Sequence, residues 1–142
     1  MNPNLLFEVA NTLALISWIV LIIFQRKSWV NTLLMSTSVS MLAITYMILV
    51  FSTFEVGSLE SFGSLQGVMD MFGDPWAVAA GWVHYLCFDL MIGLYIVTDA
   101  RKQGINQWVT VPSLLFTFML GPFGLLTYLI IRIFNKPQIP TY

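Results

Sequence analysis

The stretch that decides the fold runs from Trp76 to Thr98 and reads WAVAAGWVHYLCFDLMIGLYIVT. The stretch contains one acidic residue, Asp89, and one histidine, His84, and it contains no Lys or Arg. Asp74 before it is a typical N-cap residue, and proline, here at position 75, is favoured in the first turn of a helix. At about 1.5 Å per residue, a helix over this stretch exceeds the roughly 30 Å of a bilayer core. The stretch therefore predicts a transmembrane helix over about residues 76–98.

Three further apolar stretches lie along the chain, at about residues 5–24, 30–51 and 109–134. Of the 142 residues, 58% are hydrophobic and 9% are charged, and the mean hydropathy is +0.81. This leaves too little polar surface to enclose a water-soluble core. We predict an all-α integral membrane protein, a single domain over residues 1–142 with four transmembrane helices. Because Pro122 lacks a backbone N–H, Gly121-Pro122 predicts a kink in the fourth helix.

The charged residues divide between the two ends of the predicted helices. The short loops carry Arg26, Lys27, Arg101 and Lys102, whereas the connection between the second and third helices carries Glu55, Glu60, Asp70 and Asp74. Loops rich in Lys and Arg face the cytoplasm. This rule predicts that both termini lie on the outer side, although Arg132 and Lys136 near the C-terminus oppose that orientation.

The acidic connection also contains an amphipathic segment. Its apolar residues Leu65, Val68, Met69 and Phe72 follow the i, i+3, i+4, i+7 spacing of one helix face. Such a face lies down on the boundary between headgroups and acyl chains. We predict a short interfacial helix between the second and third transmembrane helices, in a position to act as a lid.

Composition and motifs exclude several classes of function. The formal charge of −1 and the scattered basic residues leave no surface for nucleic acid. Cys87 is the one cysteine, so neither an intramolecular disulfide nor a C-x-x-C site can form. His84 is the one histidine and stands about 140° from Asp89 around an ideal helix, so no metal site is predicted. Without a glycine-rich phosphate loop or a G-x-S-x-G motif, no cofactor is predicted either.

Ionisable side chains inside a membrane span indicate a functional role because burying them is costly. Glu8, His84 and Asp89 are in such positions, and Asn11 shares a helix face with Glu8. Structural alternatives remain open for each. Glu8 can extend to the nearby interface, His84 can join two helices, and a protonated Asp89 can bond the Phe118 carbonyl that Pro122 leaves without its partner.

The motif GWVHYLCFDL at residues 81–90, followed by GPFGLL at residues 121–126, resembles the neoxanthin synthase-like family named for abscisic acid deficiency. Residues 64–68 resemble the same family. The resemblance implies a four-span membrane protein of carotenoid metabolism, whose plant members convert an epoxy-xanthophyll into its allenic isomer. It further implies a bacterial-type member in the inner membrane of the cell.

Taken with the resemblance, the polar residues suggest acid and base roles. Opening an epoxide to an allene requires an acid at the oxygen and a base at a nearby C–H, without a redox cofactor. We hypothesise that Asp89 or Glu8 is the acid and that His84 is the base. The residues expected to bind a carotenoid end group are Trp82, Tyr85, Asn11, Gly121 and Pro122.

Two other functions remain open from the sequence. One is a subunit that binds carotenoid or lipid without catalysis, or that assembles as a homo-oligomer or in a larger membrane complex. The other is a proton relay through Glu8, His84 and Asp89. The expected partners in each case are membrane lipid and a hydrophobic polyene, and loss of turnover with retained pigment on truncating His84 distinguishes an enzyme from a binder.

Overall fold

A computed structural model describes residues 2–53 and 58–135, and these residues form helices and turns without strands. Glu55 and Lys136, used above to orient the chain, lie outside the described residues. The helices are α1 (Pro3–Ile23), α2 (Ser28–Leu34), α3 (Ser40–Thr53), α4 (Ser58–Ser61), α5 (Leu65–Met71), α6 (Pro75–Lys102), α7 (Gln107–Leu120) and α8 (Pro122–Phe134). A π-helical turn, Met35–Val39, joins α2 to α3. The predicted all-helical fold is confirmed.

Three helical segments are long and apolar enough to cross a membrane: Pro3–Ile23, Ser28–Ser52 and Pro75–Lys102. They correspond to the first three predicted spans. Side-chain caps begin two of them: Asp74, as the sequence predicts, accepts from the backbone N–H of Trp76, and Asn2 accepts from that of Asn4. Caps of this kind satisfy backbone donors that have no partner within the helix.

Helix α6 is the centre of the bundle, and it packs against α1, α3, α7 and α8. Helix α6 contributes Leu90 and Leu94 to the core, and both side chains are fully buried. Gly93 allows α1 to approach closely, because a Cβ atom there would lie 2.6 Å from the ring of Trp18. Small residues serve this purpose in membrane bundles, where close backbone approach replaces the hydrophobic driving force.

The prediction of one continuous fourth helix over 109–134 is wrong. Helix α7 ends at Leu120, Gly121 takes a positive φ of +48°, and α8 begins at Pro122. Gly124 then lies so close to Thr117 and Ser113 that a side chain there would collide with their backbone. Residues seven and eleven positions apart cannot meet in this way along a single kinked helix. Instead, α8 folds back along α7, and the two form a helical hairpin with its tip at Gly121-Pro122.

Both arms of this hairpin open at one end of the bundle, which we call the basic end because Arg26, Lys27, Arg101 and Lys102 lie there. The hydroxyl of Thr110, near the start of α7, is 2.7 Å from the side-chain oxygen of Gln25, just beyond α1. Arg132, near the end of α8, forms an ion pair of 2.7 Å with Asp99 near the end of α6.

This geometry corrects the prediction that the two termini share one side. Helix α1 begins at the end of the bundle opposite the basic end, since Phe7 stacks on Trp82 in the first half of α6, with ring centroids 5.7 Å apart. The described chain therefore begins and finishes at opposite ends. The position of Arg132, which opposed the predicted orientation, agrees with this arrangement.

A short helix, α5, occupies the position predicted for the interfacial helix. Ser64 caps it by accepting from the N–H of Gly67, and its apolar side chains point outward, with Leu65 78% exposed. Phe72, just after α5, covers Gly81 on α6, where a Cβ atom would stand 2.7 Å from the phenyl ring. The placement of α5 on a membrane surface stays a prediction.

Candidate functional site

Three of the residues predicted to bind substrate, Asn11, Trp82 and Tyr85, line one cavity. It lies between α1, α6 and α7 and has a volume of about 270 Å³. We call it the apolar groove. The other residues that line it are Ala14, Leu15, Leu86, Phe118 and Met119. The groove opens at the outer surface of the bundle, where Trp82 is 42% exposed.

One wall of the apolar groove is fixed by a bond between helices. The indole Nε1 of Trp82 donates to Oδ1 of Asn11, at 2.8 Å. The indole ring also stacks on Phe7 and Tyr85, with centroids 5.7 and 5.6 Å away. The hydrogen bond satisfies both polar groups at the mouth, so the wall that they present to a ligand is largely aromatic.

Asp89 lies on α6 one helical turn after Tyr85, and it is not one of the residues that line the groove. Its side chain is buried, and its Oδ2 atom has no hydrogen-bond partner among the described residues. Residues four apart share a helix face, so Tyr85, which lines the groove, and Asp89 lie on the same side of α6. A buried carboxyl oxygen without a partner is costly, which makes Asp89 a candidate functional residue.

Gly121 and Pro122, also predicted to bind substrate, form the tip of the hairpin and do not line the apolar groove. Gly121 contacts Asp89 instead. Both carboxyl oxygens would lie within 3.2 Å of a Cβ atom built on Gly121, so the carboxyl rests on this backbone. Gly121 is also the N-cap of α8. The free N–H groups in the first turn of a helix favour a nearby negative charge.

The remaining predicted catalytic residues lie elsewhere. The imidazole of His84 is exposed and contacts Phe88 and Tyr46, with ring centroids 4.6 and 5.3 Å away. This contact is on the side of α6 that faces α3, away from the apolar groove. Glu8 is exposed near the start of α1. The structure therefore does not bring Glu8, His84 and Asp89 together.

Within residues 2–53 and 58–135, no three His, Cys, Asp or Glu side chains are arranged to hold a metal ion. Cys87 has a structural contact, since its thiol donates to the carbonyl of Val39 in the π-helical turn, at 3.7 Å.

Sequence reasoning missed the contribution of α7 to the groove. Phe118 and Met119 reach it because the hairpin tip returns beside Tyr85, a consequence of tertiary packing. Phe118 also stacks on Trp18, with centroids 5.6 Å apart. The link between Tyr85 and Asp89 did have a signal, because residues four apart share a helix face.

A family model described as ABA DEFICIENT 4-like matches residues 5–128. The chain belongs to the ABA DEFICIENT 4-like family. The match confirms the resemblance seen in the sequence, and it covers every residue of the apolar groove together with Asp89 and the hairpin tip. Family membership and the apolar helices fit a membrane protein of carotenoid-related metabolism. No match was found for the chain among curated proteins or solved structures.

Proposed function

We propose that this protein binds the ring end of a carotenoid in the apolar groove and isomerises an epoxy end group there. The observation that carries the proposal is the placement of Tyr85, which lines the groove, one helical turn before the buried and unpartnered carboxyl of Asp89. Ligand sites of this kind combine apolar walls with a few polar groups that fix orientation. A polyene is apolar along its length and polar at an oxygenated ring, which is the pattern that this groove offers.

The proposed reaction uses Tyr85 as the group that touches substrate and Asp89, protonated at rest, as its proton store. First, Tyr85 donates its proton to the epoxide oxygen and takes one from Asp89, while the C–O bond breaks. This leaves a cation conjugated with the polyene and a carboxylate on Asp89. The neighbouring C–H then loses its proton to the Tyr85 oxygen, and the tyrosine returns its own proton to Asp89. The products are a hydroxyl group and an allene, with no net gain or loss of protons or electrons.

The hairpin tip supports the charged intermediate of this sequence. Asp89 becomes negative only while the substrate is a cation, and the N-terminus of α8 beside it stabilises that charge at that moment. Catalysis requires interactions that are stronger in the transition state than in the ground state. A fixed helix end close to a transient carboxylate meets this requirement.

The proposal modifies the roles suggested by the sequence. A base at His84 requires the substrate to reach the side of α6 that faces α3, and a proton donor at Glu8 requires it to leave the groove for an exposed position on α1. Tyr85 and Asp89 lie one helical turn apart on the same face of α6, so a reaction that uses them requires neither movement of the substrate. The geometry therefore favours Tyr85 with Asp89 over Asp89 with His84.

The test is conversion of a supplied epoxy-xanthophyll by purified protein, followed by chromatography of the extracted pigments. Tyr85→Phe keeps the ring and removes the hydroxyl, so it should retain pigment and lose turnover by about a hundredfold or more. Asp89→Asn should behave in the same way. His84→Ala is the matched control on the same helix and should convert pigment at the rate of wild type. Loss of turnover in His84→Ala with full activity in Tyr85→Phe would reject these assignments.

A non-catalytic carotenoid-binding or assembly subunit is the second candidate. It is favoured by the exposed aromatic surface of His84 and Phe88, which offers a contact for a second copy or a larger membrane complex. In this case wild type retains the polyene unchanged, and neither Tyr85→Phe nor Asp89→Asn alters the pigment profile.

We also propose a membrane topology that uses the hairpin. Three segments, Pro3–Ile23, Ser28–Ser52 and Pro75–Lys102, cross the bilayer, while α7 and α8 enter from the basic side and return to it. At about 1.5 Å per residue, each arm reaches roughly 20 Å, which is too short to cross the hydrocarbon core. The positive-inside rule places the basic end in the cytoplasm. The apolar face of α5 then rests on the outer surface.

A further inference from the structure

A second cavity lies at the basic end, far from the apolar groove. It has a volume of about 300 Å³ and forms where the ends of α1 and α6 meet the start of α7. We call it the basic cleft. Its polar and backbone lining comes from Gln25, Arg26, Arg101, Gly104, Gln107 and Thr110. None of these residues takes part in the function proposed above.

One arginine of the cleft is held in position by a neighbouring helix. The guanidinium of Arg101 donates to Oδ1 of Asn31, at 2.7 Å. The amide of Asn31 in turn donates to the carbonyl of Leu94, at 3.2 Å, and to the hydroxyl of Thr98. A guanidinium has five N–H donors, so most of them remain for a ligand. Such an arginine loses little side-chain freedom on binding, which favours affinity.

The positive charge around the cleft is not balanced by the protein. In the part of the chain that the structure describes, Asp99 is the acid at this end, and it is occupied by Arg132 and by the hydroxyl of Tyr128. No carboxylate there lies within 4.0 Å of Arg26 or Arg101. Two guanidinium groups beside one cleft attract an anion, and phosphate suits them best because it accepts paired N–H bonds.

The surroundings of the cleft place it at the level of lipid headgroups. Trp108, next to Gln107, is 73% exposed, and Trp29 stacks on Phe24 with centroids 5.7 Å apart. Indole rings at the ends of membrane helices mark the boundary between water and hydrocarbon. Gln25 and Thr110 close the floor of the cleft, being buried and bonded to each other. Basic pockets between membrane helices at the cytoplasmic face bind anionic headgroups.

We propose that the basic cleft binds the phosphate group of an anionic phospholipid, with Arg26 and Arg101 as its ligands. The acyl chains of the lipid extend along the apolar surfaces beside Trp108. The bound lipid joins the end of α1 to the end of α6, where the two uncompensated guanidinium groups would otherwise repel each other. The assignment does not depend on the reaction at the apolar groove.

The test is native mass spectrometry of the full chain in neutral detergent, titrated with phosphatidylglycerol. The double variant Arg26→Gln/Arg101→Gln should lower the affinity about tenfold. The matched control is Lys27→Gln/Lys102→Gln, which removes the same charge from adjacent positions outside the cleft lining. Its affinity should fall by only about twofold, because screening weakens exposed charges. A diacylglycerol, which lacks the phosphate group, should bind wild type and the arginine variant equally.

Two outcomes would overturn the proposal. Equal losses in the arginine and lysine variants would mean that binding follows net charge and that the cleft has no special role. Complete displacement of the lipid by millimolar inorganic phosphate would mean that the ligand is a soluble phosphate. If Arg101→Gln prevents folding, the single variant Arg26→Gln is the test, because Arg26 is exposed and its loss should not affect folding. Arg26→Gln should lower the affinity for phosphatidylglycerol about threefold. An unchanged affinity would reject the site.

Discussion

The carboxyl group of Asp89 rests on the backbone of Gly121, where an added Cβ atom would stand 2.7 Å from Oδ1. This contact joins the middle of α6 to the tip of the hairpin formed by α7 and α8. Glycine is required at this position for two reasons. The backbone has a φ of +48°, which L-residues rarely adopt, and the carboxyl occupies the space of a side chain. The contact therefore couples the shape of the hairpin to the position of the proposed proton store.

Gly121→Ala should destabilise the protein by about 3 kcal/mol, the sum of backbone strain and the collision with Asp89. Gly104→Ala is the matched control, since Gly104 also has a positive φ, of +67°, with no atom within 4 Å of the added Cβ. It should cost only the strain, about 1 kcal/mol. The midpoint of thermal unfolding in detergent gives both values, and equal losses would argue against a collision at Gly121.

A second substitution separates the backbone strain at Gly121 from the collision with Asp89. In an Asp89→Ala background the carboxyl is absent, so Gly121→Ala should cost only the backbone strain at φ +48° and ψ −101°, which is less than its cost in wild type. The free energies of unfolding of the two single variants and the double variant give the coupling directly. Additive losses would mean that Asp89 does not press on the hairpin tip.

The bond between Trp82 and Asn11 should contribute to the shape of the apolar groove more than to overall stability. Trp82→Phe and Asn11→Ala should each cost about 0.6 kcal/mol, a typical value for a polar bond between membrane helices. The double variant should cost little more than either one. A double-mutant cycle on unfolding midpoints tests this, and retention of pigment, measured alongside, should fall in all three variants. Full retention would mean that the aromatic wall needs no fixed orientation.

The returning arm of the hairpin is held by Tyr128, whose buried hydroxyl donates to Oδ2 of Asp99 at 2.5 Å. Tyr128→Phe should cost about 2 kcal/mol, because the acceptor is a carboxylate that also binds Arg132. Thr127→Val is the control one residue earlier, since that hydroxyl bonds only the carbonyl of Phe123 within α8; its cost should be below about 0.5 kcal/mol. Chemical denaturation in mixed micelles measures both, and a Tyr128→Phe value as small as the control would show that α8 is held by apolar packing alone.

The sequence predicted the elements that depend on local chemistry. Asp74 as a cap and the first three apolar runs are local signals, and the structure has helices where they place them. Gly121-Pro122 likewise predicted a kink, where the structure has a full break between two helices. The direction of the chain after Gly121-Pro122 was not predictable from those two residues, because it depends on whether α7 offers a surface against which α8 can pack.

That surface is provided by small residues four apart on α7, Ser113 and Thr117, against which Gly124 packs. Their spacing was visible in the sequence, but a stripe of small residues fits any close helix neighbour and does not name one. The basic residue Arg132 was the better signal, since a hairpin brings it to the same end as Arg101. For the site, helix spacing separated His84 from Asp89 correctly, whereas the meeting of Tyr85 with α7 required the hairpin.

The hairpin makes a direct prediction about which residues share a side of the membrane. In a Cys87→Ala background, single cysteines at Lys102 and Asn135 should react with an impermeant maleimide from the same side, and a cysteine at Gln66 should react from the other. All three positions are exposed, so access depends on the side and not on burial. A fourth crossing would put position 135 with position 66. Labelling of intact spheroplasts or oriented vesicles distinguishes the two topologies. We expect the return because the short arms of α7 and α8 leave about 10 Å of the hydrocarbon core uncrossed.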